Sequence, residues 1–261
     1  DLKMASNLNE EKRFLEFDGV DDRVTVPNDG SLNLTGDATI EMWVKPEDIS
    51  VRRDLLLLDW NGEGMVGIWP NGTMVYYFGD QTNSANLGSN QNLVEGEWSH
   101  VAIVRDQTNG TLTWYINGQQ AGTKNTSVQA AASNTTDYRI GASGSTVSKG
   151  GLDEVRIWKS ARTEQEIRES MYNELSGNET HLAAYWNFNE LNGETVRDMS
   201  NNGFDGVLGR YAYYDTKDPV RKLGEVIEEG HKRELGNANY ELSNHLGNVL
   251  SVVSDRKILN E

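Results

Sequence analysis

The chain has 261 residues, and 40 Asp and Glu against 24 Lys and Arg give it a formal net charge of -16 at pH 7. A charge of this sign repels phosphate backbones and anionic lipids, which argues against nucleic acid and membrane surfaces as partners. The sequence has no cysteine, so disulfides, thiolate metal sites and a cysteine nucleophile are excluded. No apolar run approaches the ~20 residues that a membrane helix needs, so we expect no membrane insertion.

Short apolar or alternating segments, separated by Asn, Gly, Asp and Ser, recur about every ten residues, which is typical of an all-β sandwich or barrel. The clearest alternation begins at Ala38 and ends before Pro46, which lacks the N–H that a strand ladder needs. We predict strands at 13–17, 23–26, 38–45, 55–59, 65–69, 74–78, 98–104, 112–116 and 182–188.

One segment, 160–171, has a helical pattern instead. Thr163 and Glu166 have the spacing of a capping box, and Ile167 and Met171 form an apolar edge. We expect this short helix to lie against one end of the sandwich.

The pattern predicts three parts of the chain: an N-terminal extension (1–11), a β-sandwich (12–209) and a C-terminal appendage (210–261). The appendage is rich in charge and contains two weak predicted strands, 240–243 and 248–253. It holds too little apolar surface for a core of its own.

The turn between the first two predicted strands contains Asp18, Asp21 and Asp22 around Gly19. Carboxylate and main-chain oxygens in such a loop suit Ca²⁺, which takes oxygen ligands at about 2.3–2.6 Å. An ordinary hairpin turn is the alternative, because Asp and Gly are also the best turn residues.

Two further acidic segments are calcium candidates. Asp153 and Glu154 begin a predicted strand after two glycines, and a salt bridge to Arg156 or Arg139 is the alternative interpretation. Asp198 opens a loop rich in oxygen side chains, without the spacing of an EF-hand.

Catalysis has little support in the sequence. A retaining glycosidase needs two carboxylates on one strand face, whereas adjacent residues such as Asp153 and Glu154 are expected to point to opposite faces. The histidines show no metal-ligand spacing; they are His100, His181, His231 and His245.

The tryptophans divide into two groups. Five lie in strand patterns and are predicted to be core residues: Trp43, Trp98, Trp114, Trp158 and Trp186. Trp60 and Trp69 border Gly-rich loops, with Tyr76 and Tyr77 nearby, so these four aromatics are candidates for stacking on a sugar face. Packing within a hairpin explains them equally well.

Four segments together resemble one family: Phe-Asp-Gly-Val-Asp-Asp at 17–22, Thr-Ile-Glu-Met-Trp-Val-Lys-Pro at 39–46, the paired strands 98–102 and 114–118, and Gly-Leu-Asp-Glu-Val-Arg-Ile-Trp at 151–158. This set resembles the laminin-G-like, pentraxin-related domain of bacterial surface proteins. The resemblance covers about 12–209.

The resemblance implies a two-sheet antiparallel jelly-roll sandwich of the concanavalin A-like type with one short helix. It also implies structural calcium near Asp18 and Asp153, with Asp21, Asp22 and Asp198 as further candidates, and a role in glycan or protein recognition at an extracellular or bacterial cell surface. The segment 239–249 resembles the hairpin of Rhs-type repeats, which implies flanking domains in a longer polypeptide.

The sequence therefore favours a non-catalytic recognition or adhesion module that binds a glycan or a protein and is stabilised by calcium. A structural spacer in a long adhesin or Rhs-like protein is the first alternative. A glycoside hydrolase or lyase of the same fold is the second.

Overall fold

The structure is a computed structural model that describes residues 12–32, 34–59, 64–79, 84–129, 135–143, 146–209, 218–223, 239–243 and 249–254. The chain divides into two compact units, Asp1–Val226 and Ile227–Glu261.

The strands of the first unit, in chain order, are β1 (Arg13–Asp18), β2 (Val24–Val26), β3 (Ala38–Pro46), β4 (Arg53–Asp59), β5 (Gly64–Ile68), β6 (Thr73–Gly79), β7 (Ser84–Asn92), β8 (Ser99–Asp106), β9 (Thr111–Ile116), β10 (Gln119–Asn125), β11 (Tyr138–Ile140), β12 (Ala142–Ser143), β13 (Thr146–Val147), β14 (Lys149–Trp158), β15 (Leu182–Trp186), β16 (Thr195–Val196), β17 (Gly206–Leu208) and β18 (Val220–Leu223). The helix α1 (Glu164–Ser170) lies between β14 and β15.

Most of these strands form two antiparallel sheets. Sheet A has the order β10-β9-β8-β3-β14-β1-β18, with β15 also paired to β14, and sheet B has the order β16-β17-β2-β11-β4-β5-β6-β7. One apolar core draws on both sheets and includes Trp114 and Trp186, each fully buried. The Trp114 indole nitrogen of sheet A donates to the Leu87 carbonyl of sheet B at 2.9 Å. The predicted all-β, two-sheet sandwich with one helix is confirmed.

The outer face of sheet A is covered at β8 but partly exposed at β9, and this difference explains the sequences of the two strands. Strand β9 alternates, with Leu112, Trp114 and Ile116 turned to the core. Strand β8, in contrast, is buried from Ser99 to Arg105. A strand covered on both sides reads as a nearly continuous apolar run, as the Val-Ala-Ile-Val of β8 does.

The helix α1 covers the outer face of β8, which points away from the core. Thr163 and Glu166 form the predicted capping box, since each side chain bonds the backbone N–H of the other residue. Ile167 is fully buried against Ala102 and Val104, on the face of β8 that points away from the core. The expected position at one end of the sandwich is therefore wrong, because α1 lies on the outer face of sheet A. Within the described part of the chain, no helix is long and apolar enough to cross a membrane.

The first unit continues beyond Gly209, where the sequence pattern places the end of the sandwich. Strand β18 pairs with β1 through Arg13↔Leu223 and Glu16↔Val220. In the second unit, β19 (Asn239–Ser243) and β20 (Val249–Ser254) pair antiparallel, while the connecting residues 244–248 lie outside the described residues. The likeness to Rhs repeats stays a prediction.

Gly141, after β11, lies where sheet B packs closely against Phe17 of sheet A. Its φ is +86°, and a Cβ there would lie 2.0 Å from the Phe17 ring. We expect Gly141→Ala to lower the free energy of unfolding by about 2–4 kcal/mol, from left-handed backbone strain plus overpacking. The matched control is Gly36→Ala, where a Cβ meets nothing within 4 Å. Urea denaturation of both variants measures the difference, and equal effects would contradict the packing argument.

Candidate functional site

Three acidic side chains gather at the rim of the sandwich, where the chain passes from β1 in sheet A to β2 in sheet B. Asp18, Asp21 and Asp22 each offer a carboxylate oxygen within 4.8 Å of the others. The turn is closed by its own acids, because the Asp18 N–H donates to Asp22 Oδ2 and the Val20 N–H donates to Asp18 Oδ1, both at 2.7 Å. These bonds fix two of the three carboxylates.

Asp22 is the buried member of the cluster, with 3% of its surface exposed. Its pKa is raised from the usual 3.8 to about 7, chiefly by burial and also by the charges of Asp18, Asp21 and Asp218, while the hydrogen bond from the Asp18 N–H acts in the opposite direction. Asp218 belongs to the site although it lies far along the chain. Its carboxylate occupies the space beside Gly209 that a Cβ would fill.

The donor set of this cluster fits Ca²⁺. Two oxygens that bind one ion at about 2.3–2.6 Å can be at most about 5 Å apart, and the three carboxylates meet that limit. A cation would also offset the mutual repulsion that raises the pKa of Asp22. Lys149 lies opposite Asp18 across the strand pair β1–β14, and its aliphatic stem lies against Gly19.

Asp153 and Asp198 are not brought to this cluster. Asp18 pairs with Lys149, four residues before Asp153 on β14, so about 13 Å of strand separates the two acids. Asp198 is 8% exposed, and its two oxygens accept the N–H groups of Tyr185, Ser200 and Phe204 at 2.9–3.0 Å. Its carboxylate therefore organises the loop after β15.

A β-bulge in β14 overturns the expectation that Asp153 and Glu154 point to opposite faces. Asp153 pairs with Trp43 and Arg156 pairs with Glu41, so three steps on β14 match two on β3. Glu154, the extra residue, has a φ of +52°. Its carboxylate contacts Arg156 and the Tyr185 hydroxyl, on the same outer face as Asp153.

The bulge brings Glu154 into a buried ionic network beneath α1. Glu41 accepts from Trp158 Nε1 at 2.8 Å and from Arg162 Nη1 at 2.7 Å. Arg156 is paired with Glu154 and lies 3.8 Å from Glu41. Of the two interpretations of the acidic strand start, the salt bridge to Arg156 is the one that the structure supports for Glu154.

The same network fixes the C-terminal end of α1. Helix ends leave carbonyls without intrahelical donors. Arg156 donates to the carbonyls of Ser170 and Asn173, and the Trp43 indole donates to the carbonyl of Met171 at 2.8 Å. Burial lowers the pKa of His100 in this layer, and the charges of Arg156 and Arg162 lower it further. The imidazole is therefore neutral near pH 7.

The four aromatic candidates for a sugar site have different positions. Trp60 lies outside the described residues. Tyr76 is 1% exposed and its hydroxyl accepts from Arg105 at 2.8 Å, so it is a core residue and the prediction that it contacts a ligand is wrong. Trp69 is 37% exposed and Tyr77 is partly exposed, with ring centroids 6.3 Å apart.

Trp69 and Tyr77 form an aromatic pair on the outer face of sheet B. Tyr77 pairs with Met65 on β5 and with Asn86 on β7, so these side chains share that face. Arg52 donates to Met65 Sδ at 3.0 Å and to Asp54 at 2.8 Å, which brings a guanidinium to the same surface. The aromatic pair is thus flanked by amide and guanidinium groups.

Residues 18–168 match the sequence profile of the concanavalin A-like lectin/glucanase superfamily, of laminin G type. The chain belongs to this superfamily, and the predicted laminin-G-like resemblance is confirmed. No curated protein matches the chain significantly.

Solved structures are similar to this chain at low sequence identity. A Bacteroides ovatus protein described as carbohydrate binding superposes with a TM-score of 0.63 at 18% identity, over 75% of this chain and 57% of its own. The chain thus spans just over half of that protein. A pentraxin from Limulus polyphemus gives 0.47 at 16% identity, covering 61% of this chain and 81% of its own. A sialidase CBM40 from Ruminococcus gnavus gives 0.47 at 13%, covering 59% and 96%.

We expect Arg156→Met to cost about 3–5 kcal/mol of unfolding free energy, because it leaves the buried carboxylates of Glu41 and Glu154 without their common partner. The control is Arg168→Met, which removes an exposed ion pair to Glu164 at 3.8 Å and should cost less than about 1 kcal/mol. Thermal and urea denaturation compare the two. A loss for Arg156→Met no larger than that of the control would show that the network is not needed for the fold.

Proposed function

We propose that this domain is a non-catalytic glycan-recognition module that acts outside the cell and is stabilised by calcium. The observation that carries the proposal is the partly exposed pair of Trp69 and Tyr77 on the outer face of sheet B. Aromatic rings stack on the apolar C–H face of a sugar, and neighbouring amide and guanidinium groups hydrogen-bond its hydroxyls.

The surroundings of the pair support this assignment. Asn86 is exposed in register with Tyr77, and Arg52 is 37% exposed nearby. The domain also shares its fold with the Bacteroides ovatus protein described as carbohydrate binding.

We propose a non-catalytic role because of the contacts that the acid pair Asp153 and Glu154 makes. The Glu154 carboxylate accepts from both Arg156 and the Tyr185 hydroxyl, so it is engaged in the contacts that hold the outer face of sheet A. Through Arg156, Glu154 is part of the layer that anchors α1.

Trp69→Ala should weaken binding of a glycan selected from an array by at least tenfold, because the substitution removes one of the two stacking rings. A tenfold change in Kd corresponds to about 1.4 kcal/mol of binding free energy. Isothermal titration calorimetry measures the affinity. Leu191→Ala is the control, because Leu191 is an exposed apolar residue outside the aromatic pair. Binding that survives Trp69→Ala would exclude this surface, and an array without any bound glycan would favour the spacer alternative.

Calcium should raise the melting temperature of the native chain, because a ligand that binds only the folded state stabilises it. Asp22→Asn should abolish that rise and yet raise the melting temperature in EDTA at pH 8, because it removes a buried charge while keeping an acceptor for the Asp18 N–H. The control is Asp37→Asn, outside the cluster.

The pH dependence has a defined sign. The pKa of Asp22 is about 7 in the folded protein and near 3.8 when unfolded, so the folded state binds more protons between these values. Metal-free stability should therefore decrease as pH rises from about 4 to about 7, and this contribution should vanish in Asp22→Asn. Melting curves in EDTA across this range measure it. An unchanged calcium response in Asp22→Asn would exclude the cluster as the metal site.

A further inference from the structure

A cavity of about 290 Å³ opens beside the start of β15, away from the aromatic pair and the acidic cluster. Its lining consists of Ser31, Lys159, His181, Leu182, Ala183, Asn202 and Phe204. Ligand pockets in proteins range upward from about 300 Å³, so a cavity of this size suits a single sugar residue.

The walls of this cavity are held in place. The Asn202 amide donates to the carbonyls of Leu182 and Ala183 at 3.2 and 3.1 Å. The Phe204 N–H is held by the buried Asp198, and its carbonyl accepts from the Trp186 indole at 2.9 Å. A ligand would therefore meet a preformed site, which lowers the entropic cost of binding.

Two basic side chains line this cavity in a chain whose net charge is -16. Lys159 and His181 are neighbours, since the Lys159 N–H donates to the His181 carbonyl at 2.8 Å. The Lys159 ammonium reaches the Ser31 carbonyl at 3.4 Å, which occupies one of its three N–H donors. The carboxylate of Asp29, two residues before Ser31, accepts from the Ser31 N–H at 2.9 Å.

His181 has a backbone conformation that is rare for a residue with a side chain, with a φ of +69°. Such strain persists only where the surrounding structure enforces it. His181 is exposed and lines the cavity together with Lys159, while the buried Leu182, Ala183 and Phe204 supply an apolar floor.

We propose that this cavity binds a carboxylate-bearing sugar residue, with Lys159 and His181 at the carboxylate and Phe204 beneath the ring. The inference rests on the proposed glycan recognition and adds a second site with a different ligand chemistry. A uronic acid meets the requirements of size, charge and an apolar ring face. Neutral sugars would lack the charge that Lys159 selects.

The test uses D-glucuronate and D-galacturonate, with D-glucose and D-galactose as matched neutral probes. NMR titration of the isotopically labelled chain follows the amides of Lys159, His181 and Asn202. We expect saturable shifts at these positions with the uronates, and at least tenfold weaker binding of the neutral sugars. Added salt should weaken uronate binding, because the contact is ionic.

Three variants assign the contact. Lys159→Met should weaken uronate binding at least tenfold, while Lys222→Met, which removes the same charge from an exposed pair with Glu16, should change it less than twofold. His181→Gly removes the imidazole and keeps the left-handed backbone, so it should weaken binding without lowering the melting temperature.

The outcomes separate this inference from the proposed function. Uronate binding that is lost in Trp69→Ala and kept in Lys159→Met would place acidic sugars on sheet B and overturn the cavity site while glycan recognition stands. Equal shifts with neutral and acidic sugars would overturn the charge selection. Uronate binding at the cavity that survives Trp69→Ala would support the inference, even if the aromatic pair binds nothing.

Discussion

The buried guanidinium of Arg156 is the interaction on which the arrangement of the domain depends. It lies between Glu154 and Glu41, and it also binds the carbonyls that end α1. Burying such charges costs more than an apolar contact unless all of them are paired, so the network specifies geometry more than it adds stability. The network holds α1 against the outer face of sheet A.

A helix fixed on sheet A leaves other surfaces available for binding. The outer face of sheet B carries the pair of Trp69 and Tyr77, and the rim carries the acidic cluster around Asp22. The cavity beside Lys159 lies where loops meet the start of β15. The acidic cluster and the cavity lie on turns and loops held by the sandwich, where binding residues in proteins concentrate, whereas Tyr77 lies on a strand face.

Much of the fold could be predicted because its determinants are local. The alternation of β9, the capping box at Thr163 and the strand end at Pro46 each depend on residues a few positions apart. The place of α1 could not be predicted, because the apolar edge of Ile167 fits either an end or a face of a sandwich. Its partners on β8 lie more than 60 residues earlier in the chain.

The sequence by itself determined most of the longer strands, the helix and the acidic turn at 18–22, since turn chemistry and side-chain periodicity act over neighbouring residues. Strands such as β7, β11 and β18 were not among those predicted. Only the tertiary structure decided which candidates meet. It brought Asp218 to Asp22, turned Asp198 to backbone amides, and placed Tyr76 in the core while Trp69 stayed exposed. It also placed Asp153 and Glu154 on one face, because a single extra residue in β14 shifts the alternation that a sequence pattern assumes.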